Sequence, residues 1–120
     1  MASVSTSDWR GVMNLPTMSD DDAQHIINQA INELNMEGAG LSNMTSYTVT
    51  LTSKQQGAVF AVARVIYYSF YKDVEPKALA GMSIGSADLR SNPTVDQMIR
   101  RYGQMLADVP FCVGTDETGF

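Results

Sequence analysis

Cys112 and His25 are the only thiol and the only imidazole in the chain, and a thiolate beside a base is the one nucleophilic pairing their types could form. They fall on different expected elements, so no such pairing is expected, and Cys112 reads as a partly buried or incidental thiol. A lone cysteine cannot close an internal disulfide. Asp20, Asp21 and Asp22 are a run of hard oxygen donors, but on a helix successive side chains point about 100° apart and build no pocket for a cation. Gln97, Arg100, Arg101 and Gln104 form a short face that suits phosphate; on an acidic chain the same residue types also read as a salt-bridging surface.

No GxxxxGKS phosphate loop, CxxC pair, HExxH or GxSxG occurs in the chain. The expectation is therefore a protein that is not an enzyme, with no metal and no cofactor, whose function lies in its surfaces. The net charge of −5 and a sequence pI near 4.5 argue against nonspecific grip on nucleic acid, because phosphate contacts need a basic surface. Nine of the 13 acidic residues are Asp and only three of the eight basic ones are Lys, a bias that suits a salt-rich cell. The opening MASVSTSDWR lacks a basic start and an apolar stretch, so the chain is expected to stay in the cytosol unless it is built into a particle. Arg64 interrupts the most apolar run well short of the roughly 20 residues needed to cross a bilayer. No membrane helix is expected.

The 120 residues that carry these groups make one domain with room for a core of its own. Residues 1–18 have no period and read as an extended arm with Trp9, Val12, Met13 and Leu15 as its apolar grips. Such an arm is either disordered or docked through Trp9, on a neighbour or on its own bundle. Ser19 caps a helix on which Ala23, Ile26, Ile27, Ala30, Ile31 and Leu34 form an apolar stripe. Its other face, Gln24, His25, Asn28, Gln29, Asn32 and Asn35, is amide-rich rather than charged, and is either plainly wet or bonded to another protein surface.

Ser46–Leu51 alternates as a short β-like segment, with Met82–Ile84 as its candidate hairpin partner. Ser53 and Gln56 stand at capping-box spacing before a long helix to Asp73 that is too apolar for a single wet side. Val59, Val62, Ile66 and Phe70 share one face. Phe60, Tyr67 and Tyr71 form an aromatic ridge beside Arg64, read either as packing within a bundle or as contact with a neighbouring subunit. A long Gly-punctuated loop with a short helical turn at Ala87–Arg90 follows, and Asn92-Pro93 starts a third stripe of Val95, Met98, Ile99, Tyr102, Met105 and Leu106. The tail after Pro110 carries Phe111, Val113 and Phe120 along a polar strip, as a frayed end or as an extended peptide on a partner. The expected fold is mainly α: three main helices in a small bundle, a short β-like segment or hairpin, and extended N- and C-terminal arms, divided as 1–18, 19–109 and 110–120.

In this order, SDDDAQHIINQAINELN, YTVTLTSKQQGAVFAVARVIYYSFYKD, GMSIGSADL and SNPTVDQMIRRYGQML, the segments resemble head-tail adaptor (connector) proteins of tailed double-stranded DNA viruses, in particular those of haloarchaeal tailed viruses. The resemblance spans about residues 19 to 113. It implies a structural virion protein at the head-tail junction, assembled in the host cytoplasm as a ring, commonly of twelve copies, beneath the portal. Its partners would be copies of itself, the portal protein and the next neck or tail-completion protein, with DNA passing through the channel without sequence-specific binding. The family supplies no catalytic residues. Expected interface positions are Phe60, Arg64, Tyr67 and Tyr71 on the ridge, Met82 and Ile84 in the loop, and Phe111, Val113 and Phe120 in the tail, with Trp9 anchoring the arm. The alternative is a small helical dimeric regulator that binds DNA or a partner protein through the Gln97–Gln104 face; a small enzyme subunit or cofactor binder finds no supporting motif.

Overall fold

The computed structural model describes residues 2–72 and 84–107, and within them the order of elements is β1 (Ala2–Ser5), α1 (Thr6–Met13), α2 (Asp20–Met36), β2 (Thr48–Leu51), α3 (Ser53–Ile66), α4 (Ser86–Arg90) and α5 (Pro93–Ala107). A π-helical turn, Tyr67–Tyr71, continues α3. The expected mainly helical bundle with a small two-stranded sheet is the fold observed. Helix α3 packs against both α2 and α5, which is why its sequence leaves no single wet side.

Local chemistry places the helix starts. Ser19 Oγ accepts from the Asp22 N–H at 3.1 Å, and Asn92 Oδ1 accepts from Thr94 and Val95, as the sequence predicts for α2 and α5. The box at α3 lies one residue earlier than expected. Thr52 and Gln55, not Ser53 and Gln56, exchange the reciprocal bonds, at 3.1 and 2.9 Å. Helix α2 ends at Gly38, whose φ of 99° closes the turn: the Gly38 N–H bonds Asn35 O and the Ala39 N–H bonds Leu34 O.

Residues 2–13 are not the extended arm that the sequence suggests. Strand β1 pairs antiparallel with β2, Val4 opposite Val49, so among the described residues the strand partner of the β-like segment is the N-terminus. Val4, Val49 and Leu51 all turn inward. Met82 lies outside the described residues, and Ile84 belongs to no strand but packs at the edge of the core. Helix α1 has its own capping box between Ser5 and Asp8, and places Trp9 and Met13 on its buried side. The physical reason for the correction is that several gains act together: the Trp9 indole, Val4 and Met13 are buried in the core and β1 bonds along β2, and jointly these offset the ordering of the segment. Among the alternatives for Trp9, docking is on its own bundle.

Two residues before β2, Ser46 and Tyr47 both adopt positive φ, 49° and 67°, and Thr45 and Thr48 exchange backbone bonds at 3.0 Å across them. This is the tight turn geometry that usually selects Asn-Gly. Here the strain is held by α2: Gln24 Oε1 accepts from the Tyr47 N–H at 2.8 Å, and the Tyr47 hydroxyl donates to Asp21.

Candidate interaction surface

The aromatic ridge is divided by the π turn. A π turn admits one more residue than an α turn, so side chains beyond it step back by about one position. Tyr71 accordingly falls where Phe70 would lie on an unbroken α-helix: Tyr71 is 0% exposed and Phe70 only half-buried. The Tyr71 hydroxyl donates to Gln29 Oε1 at 2.6 Å and its ring meets His25 edge-on at 6.1 Å. Burial raises its pKa. Tyr71 thus belongs to the core. Tyr67 is half-buried beneath Trp9, whose ring stands edge-on at 6.4 Å, and Phe60 is half-buried against the same core.

What remains outside is Arg64 with Tyr68, which is not among the expected interface positions. Tyr68 is 46% exposed. The Arg64 guanidinium lies 5.8 Å from its ring centroid and the Lys72 ammonium 5.9 Å, so two cations share one π system. The signal was in the spacing: Arg64, Tyr68 and Lys72 recur every four residues on one side of the helix. Beside them a groove opens between α3 and α5, with Val65 and Tyr68 on one wall and Met98 and Tyr102 on the other. Its surface is mostly apolar, and among the described residues Arg64 is the one charged side chain lining it. Of the remaining expected interface residues, Phe111, Val113 and Phe120 lie outside the described residues, as does Cys112.

The amide face of α2 is spent inside the molecule. Asn28 accepts from the Met44 N–H at 2.7 Å and donates to its carbonyl at 3.1 Å; Asn35 does the same for Leu41 at 2.6 and 2.8 Å. With Gln24 on Tyr47 and Asn32 on Asn43, these side chains hold residues 41–47 along the helix. Amides suit this task because each offers both a donor and an acceptor to an extended backbone. Of the open choices for that face, neither a plainly wet surface nor a bond to another protein describes it.

A second polar knot joins α2, α4 and α5. Arg90 bonds Glu33 at 2.9 Å, Glu37 at 3.0 Å and Asp96 at 3.3 Å, while Ser86 donates to Glu33 at 2.8 Å. Burial alone would lower the Arg90 pKa, but the three carboxylates raise it above its ordinary value. Arg100 bonds Asp96 at 3.0 Å, and this bond, opposed by burial and aided by Arg90, holds the Asp96 pKa below the usual range. On the Gln97–Gln104 face all four named side chains are exposed, and Arg100 is in that ion pair. In the aspartate run, Asp20 accepts from Arg10 at 2.8 Å and Thr6 at 2.7 Å, locking α1 to the start of α2.

Among the described residues no group of three or more His, Cys, Asp and Glu side chains is arranged to hold a metal, and no helix is long and apolar enough to cross a membrane. Comparison with known protein families, characterised proteins and solved structures gives no match.

Proposed function

We propose that the chain is a head-tail adaptor of a tailed double-stranded DNA virus, a non-enzymatic ring component that extends the portal channel and docks the next neck or tail component. The reading rests on the resemblance over about residues 19 to 113. The observation that supports it is the α3–α5 groove: an apolar strip with Arg64, Tyr68 and Lys72 at its rim. Aromatic and arginine side chains around an apolar strip are the usual composition of a subunit contact. A net charge of −5 suits a channel through which DNA must slide without being gripped.

The deciding experiment mixes the purified chain with its cognate portal and images the product. Rings stacked on the portal support the proposal. A chain that never joins the particle rejects it, and one that shifts a DNA probe at physiological salt favours the helical regulator acting through Gln97, Arg101 and Gln104. Removal of residues 111–120 is expected to abolish portal docking while leaving helicity intact; unchanged docking would reject a role for the tail.

A further inference from the structure

Two exposed patches of this chain complement each other in charge. The first is the rim of the α3–α5 groove. Arg10, Arg90 and Arg100 each bond a carboxylate, whereas among the described residues Arg64 and Lys72 pair with none and share only the Tyr68 ring. All three side chains of this rim are exposed.

The second patch is the outer face of α1. Val12 is 72% exposed, more than any other large apolar side chain among the described residues, and Asp8 precedes it by one turn on the same face. The Asp8 carboxylate accepts from the Ser5 N–H at 2.9 Å and, among the described residues, pairs with no cation. Beside them Gly11 sits inside the helix, where glycine is unfavourable, although a β-carbon added there would meet nothing within 4 Å. The described fold gives no reason for a glycine at that position. A second helix lying close against α1 would supply one.

We infer that α1 of a second copy docks on the α3–α5 groove, with its Val12 against Val65, Tyr68 and Met98 and its Asp8 on Arg64 or Lys72. One helical turn, about 5.4 Å, separates Asp8 from Val12 and also separates Tyr68 from each of its two cations. With Val12 beside Tyr68, the carboxylate therefore reaches a cation whichever way the incoming helix runs. The α1 of the same chain is not the occupant. Trp9 against Tyr67, and the bonds of Thr6 and Arg10 to Asp20, hold it to its own core with Val12 turned outward. Because α1 of one copy meets the groove of another, the contact is head-to-tail, and such contacts close into rings where the rotation allows. The inference rests on the adaptor reading for that use of the contact. It is tested apart from it, on the chain without a portal.

Sedimentation equilibrium of the full chain at concentrations up to about 1 mM reads the association, and circular dichroism verifies that each variant is folded. The natural chain is expected to associate, and Arg64→Glu and Val12→Glu, both at exposed positions, are each expected to weaken association at least about tenfold. Mixed in equal amounts, these two variants are expected to form a dimer that grows no further, because one keeps an intact α1 and the other an intact groove. Gly11→Gln is expected to keep or raise the Tm and still to weaken association. A natural chain that stays monomeric throughout overturns the proposal. So does a mixture of the two variants that stays monomeric, or a folded Gly11→Gln variant whose association is unchanged.

Discussion

Gly103 of α5 and Glu37 at the end of α2 cross so closely that a β-carbon added at Gly103 would stand 2.4 Å from the β-carbon of Glu37. Atoms that near the backbone cannot swing away, so the helices must separate. Gly103→Ala is expected to destabilise the fold by roughly 1–3 kcal/mol despite the better helix propensity of alanine, seen as a lower Tm. An unchanged Tm would mean that the two helices do not pack at this distance.

Among the described residues Arg90 is the cation that pairs with Glu33, which is only 4% exposed. Arg90→Met leaves that carboxylate buried without its partner, a loss expected to be about 3–5 kcal/mol in urea unfolding. In the double variant with Glu33→Gln the loss should be smaller than the sum of the two single losses. Simple additivity would show that Arg90 does not act through Glu33.

The Asp96 pKa is held below its ordinary 3.8, chiefly by the Arg100 bond. A carboxylate depressed in the folded state contributes stability above its unfolded pKa and loses it as pH falls through the folded one. Stability from this group should therefore be level from neutral pH down to about 5 and decline below about 4. The urea midpoint followed across that range should fall less steeply in Asp96→Asn, and identical profiles would exclude Asp96 as a contributor.

Asn28→Ala removes both bonds to the Met44 backbone, whose side chain is buried. The expected loss is about 1–3 kcal/mol, with faster amide exchange at Met44. Asn32→Ala, whose partner is the exposed Asn43 side chain, should stay within about 0.5 kcal/mol of the natural chain. Equal effects would contradict an internal role for the amide face.

Trp9→Ala should cost about 3–5 kcal/mol, because the indole is fully buried against Tyr67. A free N-terminal arm predicts no change in Tm on the same substitution.

Much of the helical framework was legible from the chain, and its failures have physical causes. The caps at Ser19 and Asn92 are local bonds between residues two or three apart, so sequence suffices to place them. At α3 the run TSKQQ offers two overlapping boxes, and periodicity alone could not choose Thr52 over Ser53. The Ser5–Asp8 box before Trp9 and Met13 was a usable sign of α1, masked by small residues with no stripe to follow. The candidate surface was half-legible: Arg64 was an expected interface position, but Tyr67 and Tyr71 were expected there in place of Tyr68, because the π turn moves the aromatic register and no local pattern announces one.

By itself, the sequence determined the elements whose cause is local: amphipathic stripes that make α2, α3 and α5, and the caps that start α2 and α5. Only the tertiary structure decided which faces are spent. It pairs β1 with β2 across more than 40 residues of chain, turns the amide face inward onto residues 41–47, and buries Tyr71 while leaving Tyr68 out. Such choices depend on what each face meets when the chain closes on itself. A polar or aromatic side chain carries the same character whether its partner is water, its own backbone or another molecule.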